Sequence, residues 1–364
     1  MASSPNARKA TVCVTCVGGR LIYDIIRGVR MTDGVDVSIL GVDADPSAHG
    51  RLLCNAFDVV PRIDSDEHAF IDRLLSLHAK HHIDVLILLS ESETRAVAKH
   101  REEFLAAGIQ VSVSSYESVA AMTDKLSLLS RAAKNGIEVG PFCGIDSELD
   151  ALQALRQLGY PQRRVVIKPR CGAGSRGVLI VDGERRQWQP LLPNRFCGTG
   201  DFDCTRRAME AHGMSFSKLI AVPYTGGPVY DVDCIARSGK LLDVATRLRQ
   251  LRNPLSPTST GHKLDLNSSV IAVAKELCAA FEIDGAADYD IAIDENGHPV
   301  LFDAGARFSG SVGGSLTAGC NFPGQLVRQL LQMPHKPMFP RDGCVLRPYI
   351  TMAEIQSVNE QDYL

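Results

Sequence analysis

The sequence predicts an α/β chain: a Rossmann-like N-terminal unit built on a parallel sheet, followed by two mixed α+β units. Three observations carry this. From Ala10 to Val113, short apolar runs alternate with amphipathic stretches, the pattern of strands joined by crossover helices. In the middle, Val165-Val-Ile-Lys-Pro-Arg-Cys-Gly-Ala-Gly-Ser-Arg-Gly-Val178 sets a lysine at the end of an apolar strand directly before a glycine-rich turn. Further on, two strand-like runs are joined by Asp294-Glu-Asn-Gly-His298, whose Asn-Gly pair is a hairpin signal.

In order along the chain, Ala10 to Val17 reads as a strand, Leu21 to Met31 as a helix and Val35 to Val42 as a second strand. Ala69 to His81 is a helix, Ile83 to Leu89 a third strand, Thr94 to Ala107 a helix and Ile109 to Val113 a short strand. The first turn, Val17-Gly-Gly-Arg-Leu-Ile-Tyr, keeps two glycines but lacks the third of G-x-G-x-x-G, which counts against a nicotinamide cofactor. Asp43, after the second strand, suits either a ribose hydroxyl or the cap of the turn Asp43-Ala-Asp-Pro46. A second unit begins near Ser118, where the helix Val119 to Asn135 carries Asp124-Lys125 and stops at Gly136. The helix Glu148 to Leu158 then leads to the Val165 strand. Gly172, Gly174 and Gly177 lack Cβ atoms, so the backbone can turn through positive φ and bring N–H groups to an anion, with Lys168 as a charge beside them. Apolar Val178-Leu-Ile-Val181 follows, so the glycines join two strands, either as a flap over a nucleotide or as a hairpin with a flexible tip. Gly183 to Ser217, with Pro190, Pro193, Gly198 and Gly200, reads as a surface excursion.

The third region is dense in strands: Lys218 to Val222, Val229 to Arg237, Lys240 to Arg247, Gly285 to Ile293 and Pro299 to Asp303, with a helix at Ser268 to Phe281. Its last hairpin puts Asp290 and Asp303 on adjacent antiparallel strands, where Cβ atoms lie about 5 Å apart. Two carboxylates so close repel unless a cation lies between them. Mg²⁺ is the natural ion beside a nucleotide phosphate; the other reading leaves both acids in solvent on a sheet face.

A formal net charge of -3, without long basic runs, argues against a nucleic-acid or membrane partner. No apolar stretch approaches the roughly 18 residues needed to cross a bilayer, and the start has no signal-peptide core, so a cytoplasmic protein is expected. The cysteines number 11, an odd count without a disulfide framework, which reads as reduced thiols used in cores. Cys13 and Cys16 form a lone C-x-x-C inside an apolar run, without a second pair at zinc spacing. His78, His81 and His82 share one helical face but lack accompanying carboxylates, and read as solvated.

Taken together, the chain resembles the ATP-grasp superfamily, on the branch similar to carbamoyl phosphate synthetase and stand-alone carboxylate-amine ligases. The resemblance rests on the order of Gly41-Val-Asp-Ala-Asp-Pro46, Asp124-Lys125, Ile167-Lys-Pro169 with its glycine loop, Ala286-Ala-Asp-Tyr-Asp290 and Leu301-Phe-Asp-Ala-Gly-Ala-Arg-Phe-Ser-Gly310. It implies a pre-ATP-grasp domain over residues 1–117, a lid subdomain over 118–218, a core subdomain with the metal site over 219–340 and a C-terminal tail over 341–364. It also implies ATP and Mg²⁺, with Mn²⁺ as a substitute, small-molecule carboxylic acid and amine substrates, and a homodimer as one possible assembly. Carried over position by position, Lys125 and Lys168 match the basic residues on the nucleotide phosphates, and Gly172, Gly174, Ser175 and Gly177 match the covering loop. Main-chain groups of Ala221, Val222 and Tyr224 match the hinge that reads adenine. Asp290 and Asp303 match the acidic metal ligands, Arg307 the arginine that follows them, and His262 and Lys263 fall, more loosely, among phosphate or acceptor contacts. Three departures stand out. Gly305 replaces an asparagine that helps hold metal or phosphate, Val229 stands where a ribose-binding glutamate is usual, with Asp231 as its substitute, and the hinge has Val222 and Pro223 in place of an acidic residue.

The expected chemistry is γ-phosphoryl transfer to a carboxylate, since an unactivated carboxylate is a poor electrophile, followed by attack of an amine. Catalysis of the first step is mostly positioning and charge. Lys168 and Arg307 are the catalytic candidates, Arg307 holding the substrate carboxylate or the tetrahedral intermediate. The loop Phe308-Ser-Gly-Ser-Val-Gly-Gly-Ser315 is expected to line the acceptor pocket with N–H and hydroxyl donors. Other readings are a bicarbonate- or carbamate-phosphorylating enzyme, a nucleotide-binding protein impaired by Gly305 and Val229, and a nicotinamide dehydrogenase.

Overall fold

A computed structural model of the chain describes residues 7–19, 22–172, 174–192, 195–249 and 261–348. Ala173 of the glycine loop, Pro193 of the excursion and the polar end of the tail lie outside the described residues.

The first unit is a five-stranded parallel sheet in the order β3-β2-β1-β4-β5. Its strands are β1 (Arg8–Val14), β2 (Val35–Asp43), β3 (Ala56–Val59), β4 (Val85–Ile87) and β5 (Gln110–Val111). Helices α1 (Ile22–Arg30), α2 (Glu67–His81), α3 (Glu91–Lys99) and α4 (Arg101–Ala106) connect them. Strand order reverses between β1 and β4, so loops after these two strands flank a crevice at the carboxyl edge. The helix expected over Thr94 to Ala107 is two helices meeting at His100, and β3 was not anticipated because its Ala-Phe-Asp-Val run is short and only half-buried.

The second unit is a six-stranded sheet in the order β6-β11-β7-β8-β10-β9. It comprises β6 (Cys143–Ile145), β7 (Val165–Pro169), β8 (Leu179–Val181), β9 (Gln189–Pro190), β10 (Gly198–Gly200) and β11 (Leu219–Pro223). The glycine loop does join two antiparallel strands, with Val165 opposite Val181 and Ile167 opposite Leu179. The hinge strand β11 lies between β6 and β7, and so belongs to this lid sheet. Helix α5 (Tyr116–Thr123) precedes α6 (Lys125–Lys134), and α7 (Glu148–Gln157) precedes β7. The segment read as a plain excursion contains β9, β10 and α8 (Phe202–Ala211), whose first turn is capped by the Asp201 carboxylate accepting from Cys204 N–H.

The third unit is a six-stranded sheet in the order β16-β15-β12-β13-β14-β17, antiparallel throughout. Its strands are β12 (Val229–Arg237), β13 (Lys240–Arg249), β14 (His262–Leu264), β15 (Gly285–Ile293), β16 (Pro299–Gly305) and β17 (Val345–Leu346). Side chains alternate across such a sheet. One face, with Tyr230, Val232, Cys234, Tyr289, Ile291 and Leu301, packs on α6 and on α9 (Ser268–Ala280). The other places Ile235, Ala245, Leu264 and Ala286 against α10 (Val312–Thr317), α11 (Phe322–Leu330) and the first unit's Val12 and Ile25. Each fully buried Val, Leu or Ile among them contributes about 1.5–3 kcal/mol. Docking of the first unit is close: Asn321 Nδ2 donates to the Gly28 carbonyl at 2.9 Å, and a Cβ at Gly28 would lie 2.8 Å from Asn321 Oδ1. Further along the strands, this second face exchanges its apolar residues for charged ones.

Candidate active site

The register of β12, β15 and β16 sets Asp231 opposite Asp290, Asp233 opposite Asp288, Asp290 opposite Asp303, and Asp288 opposite Gly305. Residues directly opposite share a face, as do residues two apart on one strand. Five carboxylates therefore project from one face of three strands. Each has a basic neighbour. Arg249 on β13 reaches both Asp231 and Asp290, the latter at 2.7 Å. Arg247, fully buried, pairs with Asp233 at 2.9 Å, Arg307 with Asp288 at 3.1 Å, and Lys125 with Asp303 at 3.3 Å. The expected repulsion of Asp290 and Asp303 is thus balanced by protein cations. Burial still pushes Asp290 up to about 7, against the pull of Arg249, and raises Asp288 from its ordinary value, a rise that the Arg307 guanidinium opposes.

Lys125 owes its place to a break that sequence periodicity does not reveal. Asp124, with φ -111° and ψ 109°, interrupts the helix expected over Val119 to Asn135 and caps α6, accepting from Leu126 N–H at 2.9 Å and Ser127 N–H at 3.1 Å. Its carboxylate also receives the Arg170 guanidinium, at 2.7 Å from Nη2. Against burial, which works the other way, these bonds hold Asp124 below the usual carboxylate range. Lys125 is consequently the first residue of α6, and its Nζ donates to the Gly172 carbonyl at 2.8 Å. One lysine thus ties the root of the glycine loop to Asp303. Lys168, also buried, donates to the Phe302 carbonyl at 2.7 Å, next to Asp303, and burial lowers it to about 8. Gly172, Gly174 and Gly177 take φ of 120°, 71° and 72°, and Ser175 takes 61°. The loop therefore uses the left-handed backbone its glycines permit, although the Gly174 carbonyl accepts from Arg195.

Arg307 continues the alternation of Asp303 and Gly305. Its Nη1 donates to Asp288 and to the Phe308 carbonyl at 3.0 Å, and its Nη2 to Glu91 of α3 at 2.9 Å. A Cβ on Gly305 would lie 2.4 Å from Asp288 Oδ1 and 3.2 Å from Arg307 Cζ. The Asp288–Arg307 pair fills the space that a side chain at position 305 would need.

Several expected roles change. Asp231 is buried among Arg249, Arg247 and His262. Although burial raises it, the two arginines and the hydrogen bond to His262 hold it well below its ordinary value, and burial leaves it closed to a ribose. His262 is correspondingly buried against Asp231, and burial pushes its imidazole down. The serines after Arg307 point inward: Ser309 and Ser315 each donate to Asp233 at 2.5 Å, and Ser311 accepts from Arg247 at 2.8 Å. Their hydroxyls are engaged in the charged network around Asp233 and Arg247. At the hinge, β6 stops opposite Ala221, so Val222 is paired with β7 alone, while Tyr224 N–H is already given to the Arg164 carbonyl at 3.0 Å and is not a free donor for adenine. Asp43 accepts from Gly18 N–H at 2.7 Å and Asp45 N–H at 3.0 Å, the capping role. Cys13 is core, whereas Cys16 lies past β1 with its thiol toward Glu93 at 3.3 Å. His78 and His81 bind the Ile83 carbonyl and Asp58 instead of facing solvent together. Sequence reasoning missed Arg247, Arg249, Glu91 and Asp288; alternating arginines on β13 opposite alternating aspartates on β12 were the available signal.

Asp290 and Asp303 offer hard oxygens on adjacent strands, flanked by cations whose charge a divalent ion could replace, and this donor set fits Mg²⁺. Among the described residues no group of three or more His, Cys, Asp or Glu side chains converges as a closed metal site. Such an ion would keep open positions for water and phosphate.

Residues 215–351 match the family model described as "ATP-grasp in the biosynthetic pathway with Ter operon", and residues 13–112 match "PylC-like, N-terminal domain". No curated protein matches the chain. Among solved structures, N5-carboxyaminoimidazole synthetase from Staphylococcus aureus complexed with ADP superposes with a TM-score of 0.66 at 16% identity, covering 94% of this chain and 83% of that one. An L-amino acid ligase from Bacillus licheniformis gives 0.62 at 15% identity, covering 90% and 75%. The biotin carboxylase domain of Hydrogenobacter thermophilus 2-oxoglutarate carboxylase, solved with MgADP and bicarbonate, gives 0.61 at 13% identity, covering 88% and 69%. At these identities the likeness is one of fold. Among the described residues no helix is long and apolar enough to cross a membrane.

Proposed function

We propose that the chain, whose residues 215–351 match an ATP-grasp family model and whose residues 13–112 match a PylC-like N-terminal model, is an ATP-dependent carboxylate-amine ligase that forms an amide or peptide-like bond through an acyl phosphate and releases ADP and phosphate. The observation that carries this reading is the convergence of Lys125, Lys168 and the glycine loop on the strand end that holds Asp303, itself opposite Asp290.

In the first step an oxygen of the acid's carboxylate bonds to the γ-phosphorus and the bond to the β–γ bridging oxygen breaks, leaving ADP. Charge spreads over the equatorial oxygens of the phosphoryl group, so fixed cations stabilise the transition state more than the ground state. Lys168 and Lys125 supply two of these, one from the lid sheet and one from a helix start, and the loop Gly172–Gly177 closes over them and excludes water. When bound at Asp290 and Asp303, Mg²⁺ would neutralise phosphate oxygens and align the triphosphate. In the second step the amine attacks the acyl carbon, phosphate leaves with its electron pair, and the amine's extra proton passes to phosphate or water. Arg307 would hold the carboxylate or the oxyanion of the tetrahedral intermediate through the donors that Asp288, Glu91 and Phe308 leave unused. Adenine would meet the open main-chain edge at Val222.

The test is an ADP-release screen of acids crossed with amines, with Asp303→Ala and Lys168→Ala as controls. The reading expects turnover that needs both an organic acid and an amine and that both variants abolish. Undiminished turnover by both variants would overturn the site, and ADP release on bicarbonate alone would overturn the choice of acid.

A further inference from the structure

The guanidinium of Arg307 is held from two units of the fold at once. Asp288 comes from β15 of the third sheet and Glu91 from the first residue of α3 in the first unit, more than two hundred positions from the arginine in sequence for the latter. The turn that presents Glu91 is itself fixed. Ser90 caps α3 by accepting from Glu93 N–H at 3.2 Å, and the buried Glu93 carboxylate accepts from Thr15 Oγ1 at 2.6 Å and from the Cys16 thiol. This turn follows β4, at the strand-order reversal of the parallel sheet, the position at which such sheets characteristically bind ligands. On the opposite side, Asp288 lies where a side chain at position 305 would project. Docking of the two units does not depend on this contact, because Asn321 on Gly28 and Arg101 on Asp284, at 3.3 Å, bridge them elsewhere.

An arginine has five donors in a rigid fork. Asp288, Phe308 and Glu91 engage Nη1 and one side of Nη2, and among the described residues Nε–H and the second Nη2 hydrogen have no protein partner. We infer that Glu91 and Asp288 are positioning residues: they aim the unpartnered Nε–Nη2 donors of Arg307 at the reacting carboxyl and phosphoryl oxygens, so the first unit completes the catalytic site. Without Glu91 the fork keeps its charge but loses its direction. Orientation of this kind acts on the transition state and leaves nucleotide binding alone.

This inference rests on the proposed phosphoryl transfer, and its test separates the two. The full chain is titrated with MgADP, then with MgADP plus aluminium fluoride, which mimics the phosphoryl group in flight and needs no knowledge of the acid or amine. Glu91→Gln keeps shape and removes charge; Glu91→Asp restores charge on a shorter arm. The expected result is that E91Q loses about 10- to 100-fold of the extra affinity for the fluoroaluminate complex, the span of one charge-assisted hydrogen bond. Its MgADP affinity stays at the wild-type value, and E91D recovers part of the loss. An E91Q protein with undiminished fluoroaluminate affinity overturns the inference, as does one in which MgADP affinity and melting temperature fall together. A wild-type chain that does not bind MgADP overturns the underlying reading, and the inference with it.

Discussion

Gly305→Ala tests the packing of the site without reference to turnover. Gly305 is not among the positive-φ residues, so alanine is compatible with its backbone and any cost comes from space. The new Cβ would start 2.4 Å from Asp288 Oδ1 and 3.2 Å from Arg307 Cζ, the first of these well inside van der Waals contact. Either the Asp288 carboxylate swings away and releases Arg307, or the two strands move apart. Overpacking of this kind costs about 1–3 kcal/mol, and full separation of a buried ion pair about 3–5 kcal/mol, which sets an upper bound. We expect Gly305→Ala to destabilise the protein by about 1–3 kcal/mol in chemical denaturation followed by circular dichroism. In an Asp288→Ala background the obstruction is gone, and the same substitution should cost close to nothing. The coupling in this double-mutant cycle should exceed about 1 kcal/mol. Equal costs in both backgrounds, or no cost in the wild type, would refute the claim that the ion pair occupies the side-chain space of position 305.

Other expectations concern charge. Asp290, raised to about 7 by burial, must be ionised to bind a divalent ion, so MgADP affinity should rise with pH up to about 7; Lys168, lowered to about 8, must stay protonated to hold phosphate, so affinity should fall above about 8. Calorimetric titrations across this range should show a maximum between the two, and a flat profile would contradict both assignments. The raised value of Asp290 carries a stability consequence of the opposite sense: the apo protein loses stability as pH rises from the unfolded carboxylate range through about 7, and Mg²⁺ with nucleotide should reverse that loss. Lys168→Met should weaken MgATP binding by about 10- to 100-fold, as expected for a lost charge-assisted hydrogen bond, while leaving the melting temperature unchanged or raised, because a desolvated ammonium is removed. Arg249→Met leaves Asp231 and Asp290 without their shared cation in a buried setting and should cost about 3–5 kcal/mol in denaturation; a neutral result would show that the network is not the one described.

Much of the site is legible in the sequence where one local signal fixes geometry. The Asn-Gly turn sets the last hairpin, and Asp290 does fall opposite Asp303. The lysine before the glycines is equally plain, because strand, charge and turn are contiguous at Val165 to Gly177. What could not be read depends on register or on capping. Arg249 reaches Asp231 and Asp290 only through the pairing of β13 with β12, which no local pattern specifies. Asp124 sits inside an apolar periodicity that runs through both α5 and α6, and it breaks the helix because its carboxylate serves Leu126, Ser127 and Arg170 at once. Helix α8 was hidden by the prolines and glycines around it, although Asp201 supplied an N-cap. Asp231 looked available to a ribose because a sequence does not show that His262 and two arginines surround it. Glu91 comes from another unit of the fold, beyond the reach of motif spacing.

The central claim is that a triphosphate lies between the glycine loop and the paired aspartates of β15 and β16. A crystal structure with Mn²⁺ and a nonhydrolysable ATP analogue tests it most directly. The account predicts an anomalous peak bridged by the carboxylates of Asp290 and Asp303, with Arg249 and Lys125 drawn off them and the γ-phosphate beside Lys168. A nucleotide seated away from these strands, or a metal that touches neither aspartate, would contradict it.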